Sequence, residues 1–342
     1  MDQKNTASLK SIAAKAGVSI TTVHRALTGK KDCSDAMREK IIAIAMEDGY
    51  RFNYYEARLM GKGLRIASIM MESDSTSRMF TDRIRDGYEK CKNDYRQYRI
   101  DYREYYFNSD ADLDEILKEI AQGREGHFDG LIAHIISASE AQRALFSKIM
   151  ATGCSIMFIE NNPAASDIPT VGCANTVAGA LAGELISKMC HSSGRVYLLS
   201  RLMAGGDEIA RAAKEEISRR RSDLDVIDIS SPLLGDNCDR IRQLLAEDPV
   251  AIYATSARQT ARVLSCLGAK KIGVFIGSEL FQESRNAIRR GQLDAIIDKR
   301  PEKLGYMALK LVLEDLFGKE SLKSYFIAPR LVLRANCPDQ ES

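Results

Sequence analysis

The spacing of apolar residues changes near residue 63, and we call residues 1–63 the head and the remaining residues the body. In the head, Leu9, Ile12, Ala13 and Ala16 recur at the intervals of one face of a helix. Beyond residue 63, short β-rich apolar runs alternate with stretches of helical periodicity. We therefore predict a small helical domain followed by a larger α/β domain.

The head carries start and stop signals for two short helices. Ser8 can cap the first helix, and Gly17 can end it because glycine adopts left-handed backbone at little cost. Ser19 can cap a second helix that runs to Leu27. Two short helices joined by such a tight connection predict a helix-turn-helix.

A third amphipathic stretch, from Ser34 to Asp48, would close a three-helix core. The second helix of a helix-turn-helix enters the major groove of DNA, where its first side chains reach the base edges. A small helical bundle that contacts another protein would show the same apolar pattern. The pattern therefore favours DNA binding and leaves that alternative open.

The body predicts about nine strand-helix units. Because its connections are short, we expect right-handed βαβ crossovers and parallel sheets, and nine units suit two doubly wound lobes better than one sheet. Predicted strands lie near 65–71, 98–106, 130–136, 155–160, 169–172, 195–199, 225–229, 250–254 and 271–276, and predicted helices near 79–94, 111–122, 139–151, 176–190, 207–221, 236–246, 256–267, 281–290 and 302–317.

Composition narrows the function classes. The 342 residues are 45% hydrophobic and 28% charged, which is typical of a folded globular chain. Apolar runs are far shorter than the ~18–20 residues of a membrane helix, and the first residues resemble no secretory signal, so we expect a cytoplasmic protein. The eight cysteines have no C-x-x-C spacing and the four histidines are scattered, so no metal or cofactor is predicted.

Charge is unevenly placed along the chain. Residues 1–63 carry eleven Lys and Arg against seven Asp and Glu, a net charge of +4, whereas the rest carries 38 against 40. A basic head on a slightly acidic body indicates a polyanion as the partner of the head.

The residues of the head resemble a known family. The segment L-K-S-I-A-A-K-A-G-V-S-I-T-T-V-H-R-A-L-T-G-K, residues 9–30, looks like the DNA-binding head of the LacI/GalR family of bacterial transcription regulators. Asp48-Gly49-Tyr50-Arg51 and Asn53 resemble the end of its third helix. The resemblance implies base reading by Ile20, Thr21 and Arg25, and phosphate contacts by Ser8, Ser19, Thr22, His24 and Thr28.

Arg25 suits base reading on chemical grounds as well, because its planar fork can pair with guanine O6 and N7. His24 stands where the family usually has serine, and Phe52 where it usually has proline. After the head, the family has a hinge helix whose leucine wedges open a minor-groove step. Two alignments of residues 53–63 are possible, and they place the wedge at Leu59 or at Met60.

The body is similar to the family's second domain, which is like a periplasmic sugar-binding protein. Four stretches carry this similarity: F-D-G-L-I at 128–132, S-I-M-F-I-E at 155–160, the segment 171–183, and G-Q-L-D-A-I-I-D at 291–298 followed by Pro301 and Gly305-Tyr306. The resemblance implies an effector bound between the lobes, beyond the carboxyl ends of the strands. The effector-binding positions it implies are Glu72, Glu160, Arg211, Thr255 and Glu279, with Phe80 and Phe107 as rings that could pack on a sugar.

The sequence thus predicts an allosteric DNA-binding regulator, acting as a repressor, that responds to a sugar or sugar derivative. A homodimer on a palindromic operator is expected, with no membrane partner. The alternative is a cytoplasmic sugar-binding sensor with a weak or vestigial head, and the absence of Walker A, G-x-G-x-x-G and G-x-S-x-G motifs speaks against an enzyme. Predicted domains are a helix-turn-helix at 1–52, a hinge at 53–63 and an effector domain at 64–342, with lobe 1 at about 64–168 and 298–326 and lobe 2 at about 169–297 and 327–342.

Overall fold

The structure is a computed structural model that describes most of the chain. The described residues are 8–27, 34–47, 63–72, 78–124, 126–163, 167–200, 207–230, 238–268, 270–318 and 320–338. The chain splits into two compact units, here called the first unit (Met1–Met71, Lys90–Pro169 and Ala308–Lys323) and the second unit (Glu72–Glu89, Thr170–Met307 and Ser324–Ser342).

Helices and strands alternate along the described residues. The helices are α1 (Leu9–Ala16), α2 (Ile20–Leu27), α3 (Asp35–Glu47), α4 (Arg78–Asp94), α5 (Asp110–Gln122), α6 (Glu140–Ala151), α7 (Asn175–Met189), α8 (Glu208–Arg220), α9 (Asp239–Ala246), α10 (Ala257–Leu267), α11 (Gln282–Arg289) and α12 (Pro301–Leu316). The strands are β1 (Leu64–Met71), β2 (Ile100–Phe107), β3 (Gly130–His134), β4 (Ser155–Ile159), β5 (Thr170–Cys173), β6 (Gly194–Ser200), β7 (Leu224–Ser230), β8 (Ala251–Ala254), β9 (Val274–Ser278), β10 (Ala295–Asp298), β11 (Tyr325–Ile327) and β12 (Arg330–Val332).

The head folds as its local signals predict. Ser8 caps α1 by accepting from the Ser11 backbone N–H, and Gly17 ends the helix with a left-handed φ of 72°. A small core of buried side chains joins the three helices through Ile12, Val23 and Ile41. Because this core has few large side chains, helix caps contribute a sizeable share of its stability, typically ~1 kcal/mol each.

The strands of the body form two six-stranded sheets. The first sheet has the order β11-β5-β4-β3-β1-β2 and the second the order β12-β10-β9-β8-β6-β7. The registered pairs are parallel except β10 with β12, in which Ile296 faces Val332. Strand order that departs from chain order requires crossover helices, so the predicted doubly wound α/β architecture is confirmed.

The second sheet is covered by helices on both faces. Val196 and Leu198 of β6 pack into one apolar cluster, whereas Tyr197 and Leu199 pack into another. Successive side chains of a strand point to opposite faces, so each face of this sheet carries its own core. Burial on both faces explains why these strands appear in the sequence as short continuous apolar runs.

Glycines permit two close helix contacts in the second unit. A Cβ on Gly87 of α4 would lie 1.7 Å from the Glu302 backbone oxygen, and one on Gly305 of α12 would lie 1.9 Å from the Ile84 oxygen. Backbones approach this closely only where side chains are missing. These contacts place the first half of α4 beside α12, where its Arg83 can reach the end of β10.

Three short strands were not predicted from the sequence. Neither β11 nor β12 was predicted, and residues 295–298 were identified as a motif but not as the strand β10. Each of these strands has three or four residues, too few to show a period of two clearly. The other predicted elements lie within about three residues of the observed ones.

Candidate functional sites

The exposed face of α2 carries the predicted base-reading residues. Val23 and Ala26 are fully buried in the head, whereas 48% of Ile20 is exposed. Thr21 and Arg25 are exposed as well. The helix therefore presents its predicted reading residues together, on the side opposite its core.

Three of the predicted phosphate-binding hydroxyls, those of Ser8, Ser19 and Thr22, lie at the starts of the two helices. Ser19 Oγ accepts a hydrogen bond of 3.0 Å from the Thr22 backbone N–H and lies 2.9 Å from Thr22 Oγ1. Ser8 and Ser11 form a reciprocal capping box at the start of α1. Helix N-termini attract anions because their first N–H groups have no partner within the helix. Both capped starts therefore offer partial positive charge, and the start of α2 is also where Ile20 and Thr21 lie.

Three of the predicted DNA-contacting residues cannot be placed. Thr28, Leu59 and Met60 lie outside the described residues, as does the hinge up to residue 62. His24 is described, and it is exposed on α2.

In the second unit, charged side chains collect where the parallel strands of the second sheet end. Glu279 directly follows β9 and is completely buried. Its Oε1 lies 3.5 Å from Lys299 Nζ, and its Oε2 accepts from the Lys299 backbone N–H at 3.3 Å. The Glu279 backbone has a left-handed φ of 67°, which is costly for a residue with a Cβ. Strain of this kind often marks a functional site, because surrounding structure must hold it.

Burial dominates the ionisation of Glu279. Removal from water raises its carboxyl pKa, Lys299 and Arg83 oppose the shift and Asp298 adds to it, and the resulting pKa is about 8. At neutral pH this carboxyl is therefore largely protonated and can both donate and accept a hydrogen bond. That is unusual for a glutamate and suits a site for a polar ligand.

Asp298, at the end of β10, is the second buried carboxylate of this cluster. It accepts from Arg83 Nη1 at 3.4 Å and from Arg330 Nη2 at 2.9 Å, and no part of its side chain is exposed. Beside it, Lys299 Nζ lies 4.7 Å from the centre of the Phe80 ring, a cation–π contact. Phe80 thus contacts a cation here, whereas Phe107 belongs to an apolar core in the first unit.

The side chains of Thr255 and Arg211 both contact other side chains of the protein. Thr255 is buried, and its hydroxyl donates to Asp207 Oδ2 at 2.8 Å. Asp207 in turn caps α8 by accepting from the Ile209 and Ala210 backbone N–H groups. Arg211 is exposed and pairs with Glu215 one turn along α8. The hydroxyl of Thr255 therefore orients the carboxylate of Asp207.

Gln259, in the first turn of α10, adds an amide to this strand end. Only 1% of the residue is exposed, and both its Nε2 and its Oε1 are buried without a hydrogen bond to any described residue. A buried amide without partners costs free energy that a bound polar ligand could recover.

Glu160 occupies the corresponding place after β4 in the first unit. Its Oε2 lies 3.3 Å from His134 Nε2, and both side chains are nearly buried. Its φ of 72° is left-handed, as at Glu279. Glu72, which follows β1, is exposed. The structure thus brings Glu279 into a charged cluster of the second unit and pairs Glu160 with a histidine of the first.

Sequence reasoning missed several members of the second-unit cluster. Asp298 carries a visible signal, because it ends the buried apolar run of β10. Arg83 and Arg330 carry none, since they lie 215 and 32 residues from Asp298 along the chain. Only the fold brings them together.

Two family profiles match the chain. Residues 68–320 match the periplasmic binding protein domain, and residues 8–53 match the bacterial regulatory proteins of the lacI family. The chain belongs to the LacI family of bacterial regulatory proteins. The resemblance predicted from the sequence is thereby confirmed, and the helix-turn-helix of this family coincides with α1 and α2.

One curated relative resembles this LacI-family chain over a short segment. The HTH-type transcriptional regulator RafR of Escherichia coli is 41% identical over 80 residues. That segment is 22% of this chain and 24% of RafR, so the chain spans about a quarter of the curated relative it matches.

Solved structures share the fold of the body at low identity. GanP, a glucose-galactose binding protein from Geobacillus stearothermophilus, is 17% identical with a TM-score of 0.66, over 81% of this chain and 99% of its own. A putative LacI transcriptional regulator from Bacteroides fragilis is 11% identical with a TM-score of 0.65, over 80% of this chain and 98% of its own. These likenesses establish a two-lobed binding-protein fold for this LacI-family chain.

Two further features of the described residues bear on function. None of the described helices of this LacI-family chain is both long and apolar enough to span a bilayer. Within the same residues, no group of three His, Cys, Asp or Glu side chains is arranged to hold a metal ion.

Proposed function

We propose that this protein is a sequence-specific DNA-binding transcription regulator, acting as a repressor, whose operator binding is controlled by a small polar effector. The proposal rests on one observation: α2 exposes Ile20, Thr21 and Arg25, while its other face is buried. The lacI-family match over residues 8–53 supports it. The proposal involves no catalytic step.

In this proposal the residues of the head divide into two roles. Arg25 pairs with a guanine edge, while Ile20 and Thr21 touch neighbouring bases. Hydroxyls at the helix starts and His24 hold phosphates and set the position of α2. The phosphate-binding residues are Ser8, Ser19, Thr22, His24 and Thr28, and Leu59 or Met60 is the proposed minor-groove wedge.

We further propose a homodimer on a palindromic operator. One head presents three reading side chains, which discriminate few base pairs. Two heads related by a two-fold axis would double that number and read two half-sites of the same sequence. The predicted domains, 1–52, 53–63 and 64–342, then serve DNA reading, hinge formation and effector binding with dimerisation.

The proposed effector is a carbohydrate or a related polyol. Its hydroxyls both donate and accept, so they suit a site with a buried carboxyl, a buried amide and cations. Glu279, Gln259 and Lys299 provide these groups in the second unit. Thr255 takes part through Asp207, and the remaining proposed contacts are Glu72, Glu160 and Arg211. GanP, a fold relative, is named a glucose-galactose binding protein, which supports the choice of sugars.

Control of DNA binding follows from linkage. An effector shifts the protein toward whichever arrangement it binds more tightly, by no more than the difference between its two affinities. An effector that prefers an arrangement unsuited to the operator releases the protein from DNA.

Fluorescence anisotropy against upstream DNA and a scrambled duplex tests the DNA-binding proposal. We expect selective binding with a steep salt dependence, since each neutralised phosphate adds ~0.9 to the slope. Arg25→Ala should remove the selectivity, by ~1–3 kcal/mol per lost base contact. Lys10→Ala, an equal loss of charge at an exposed position of α1, is the matched control and should preserve the preference for the operator.

Equal affinity of Arg25→Ala and the wild type for a selected operator would overturn the reading role of α2. Weak binding that is equal on both duplexes, with sugar binding retained, would instead favour a sugar sensor with a vestigial head.

A further inference from the structure

Two cysteines that are far apart in the sequence meet in the second unit. Cys238 directly precedes α9, and Cys266 lies in the last turn of α10. Cys266 Sγ lies 3.9 Å from the Cys238 carbonyl oxygen. Ser265 Oγ lies 3.7 Å from Cys238 Sγ and 3.9 Å from Cys266 Sγ. The two thiols therefore surround one hydroxyl, and the sulfur of one contacts the main chain of the other.

The two thiols differ in their ionisation. The pKa of Cys238 is lowered, chiefly by a hydrogen bond with Cys266, then by Ser265 and by the charges of Arg242 and Arg262. Burial and then the hydrogen bond with Cys238 raise the pKa of Cys266 to about 11. Cys238 also stands at the N-terminus of α9, where the helix dipole favours an anion. Cys238 is therefore the more acidic thiol of the pair, and Cys266 is the thiol that keeps its proton to higher pH.

Exposure makes this pair chemically accessible. Cys238 and Cys266 are both partly exposed free thiols. Cys91 and Cys154, by contrast, are buried, and burial raises the pKa of each to about 12. Buried thiols with raised pKa values react slowly, because the thiolate is the nucleophile.

We propose that Cys238 and Cys266 form an oxidation site, at which a peroxide converts the two thiols into a reversible disulfide. A disulfide requires two cysteines that are close in space, and the contact of Cys266 Sγ with the Cys238 main chain, together with the contact of both sulfurs with Ser265 Oγ, shows that these two are close. The inference stands on these contacts and is independent of the proposed DNA binding.

The chemistry balances with hydrogen peroxide as the oxidant. The Cys238 thiolate attacks one peroxide oxygen, so an S–O bond forms, the O–O bond breaks and hydroxide leaves with the electron pair. Sulfur loses two electrons and the peroxide gains them. Cys266 then gives up its proton and attacks the Cys238 sulfenic sulfur, so an S–S bond forms and the S–O bond breaks. The two hydroxides take up two protons, and the sum is one disulfide and two waters.

Peptide mapping of the full-length protein after treatment with hydrogen peroxide tests this site. Free thiols are blocked with N-ethylmaleimide, and trypsin, which cuts at Arg240 and Arg262 among others, separates the two cysteines. We expect a disulfide-linked peptide pair that contains Cys238 and Cys266 and that dithiothreitol releases. Cys238 should be lost at least about tenfold faster than Cys337, another partly exposed free thiol.

Single variants distinguish the attacking thiol from the resolving one. In Cys266→Ser the reaction should stop at a Cys238 sulfenic acid, which dimedone traps, while Cys238→Ser should leave Cys266 unmodified. Cys337→Ser is the matched control and should oxidise as the wild type does. Loss of Cys238 and Cys337 at equal rates, or a failure of dimedone to label Cys266→Ser, would overturn the proposal.

Discussion

Glu160 in the first unit and Glu279 in the second both come directly after a strand, but different residues surround their side chains. Each directly follows a buried strand, and their φ angles are 72° and 67°. Glu160 contacts His134, a base that can be neutral or charged, and 8% of its side chain is exposed. Glu279 contacts Lys299, and none of its side chain is exposed.

The same backbone feature is therefore found in two chemical environments. An apolar strand followed by a Glu with left-handed φ depends only on a few neighbouring residues. The ionisation of that Glu depends on how many charges and how much water surround it. At Glu279 the loss of water outweighs the attraction of Lys299, so its pKa rises to about 8. At the second strand end, burial therefore disfavours the ionised form of the carboxyl.

The largest expected effect is a change in the pH dependence of stability on replacing Glu279 by glutamine. A carboxyl whose pKa rises from 4.5 to about 8 on folding binds more protons when folded, so stability falls as pH rises through that window. Glu279→Gln removes this term. Relative to the wild type, the variant should gain on the order of 4 kcal/mol in free energy of unfolding between pH 4.5 and pH 9. Urea unfolding at a series of pH values measures the gain.

Glu247→Gln provides a control of opposite sign. Tyr197, with Arg195, lowers the pKa of the exposed Glu247 carboxyl. A lowered pKa contributes stability that is lost as pH falls below 4.5, so this variant should change only the acidic end of the profile. Parallel stability curves for Glu279→Gln and the wild type would contradict the assigned burial effect.

The next largest effect concerns Asp298, the fully buried carboxylate at the second strand end. Asp298→Ala would leave Arg83 and Arg330 without their shared carboxylate, and the free energy of unfolding should fall by about 3 kcal/mol. Asp223→Ala removes a carboxylate from the exposed pair with Arg221 and should cost clearly less, because solvent screens exposed charges. Equal losses for the two variants, measured by urea unfolding, would show that burial does not distinguish these pairs.

The smallest effect concerns the backbone at the first strand end. Glu160→Gly relieves left-handed strain of ~1–2 kcal/mol and loses the contact with His134, worth ~0.5–1.5 kcal/mol. The net change should therefore stay within about 1 kcal/mol. Glu279→Gly relieves the same strain, yet it leaves Lys299 Nζ buried without its carboxyl partner, so it should destabilise clearly more. Thermal unfolding of the two variants side by side makes the comparison, and equal shifts in Tm would refute it.

Prediction from sequence succeeded where signals are local. Ser8, Gly17 and Ser19 mark the helix ends of the head because caps depend on a few neighbouring residues. Most strands of the body were predicted for a similar reason, since burial on both faces produces continuous apolar runs. The roles of the site residues remain predictions, and the experiments above address them.

Sequence reasoning did not find contacts between side chains that are distant in the chain. The hydroxyl of Thr255 donates to Asp207, 48 residues away, while the predicted contact of Thr255 with a ligand stays a prediction. The Cys238–Cys266 contact spans 28 residues between two helices. Neither pairing has a periodic or spaced signal that a single sequence could reveal.

The helix-turn-helix, the alternation of strands and helices and the family could be predicted from the sequence, because caps, turns and apolar runs act over a few residues. Which charges are buried together depends on the folded chain. Arg83 reaches Asp298 across 215 residues, and Glu279 is protonated near neutral pH because the folded chain excludes water from it. The energy of a charge depends on everything within several ångströms, and that neighbourhood exists only after folding.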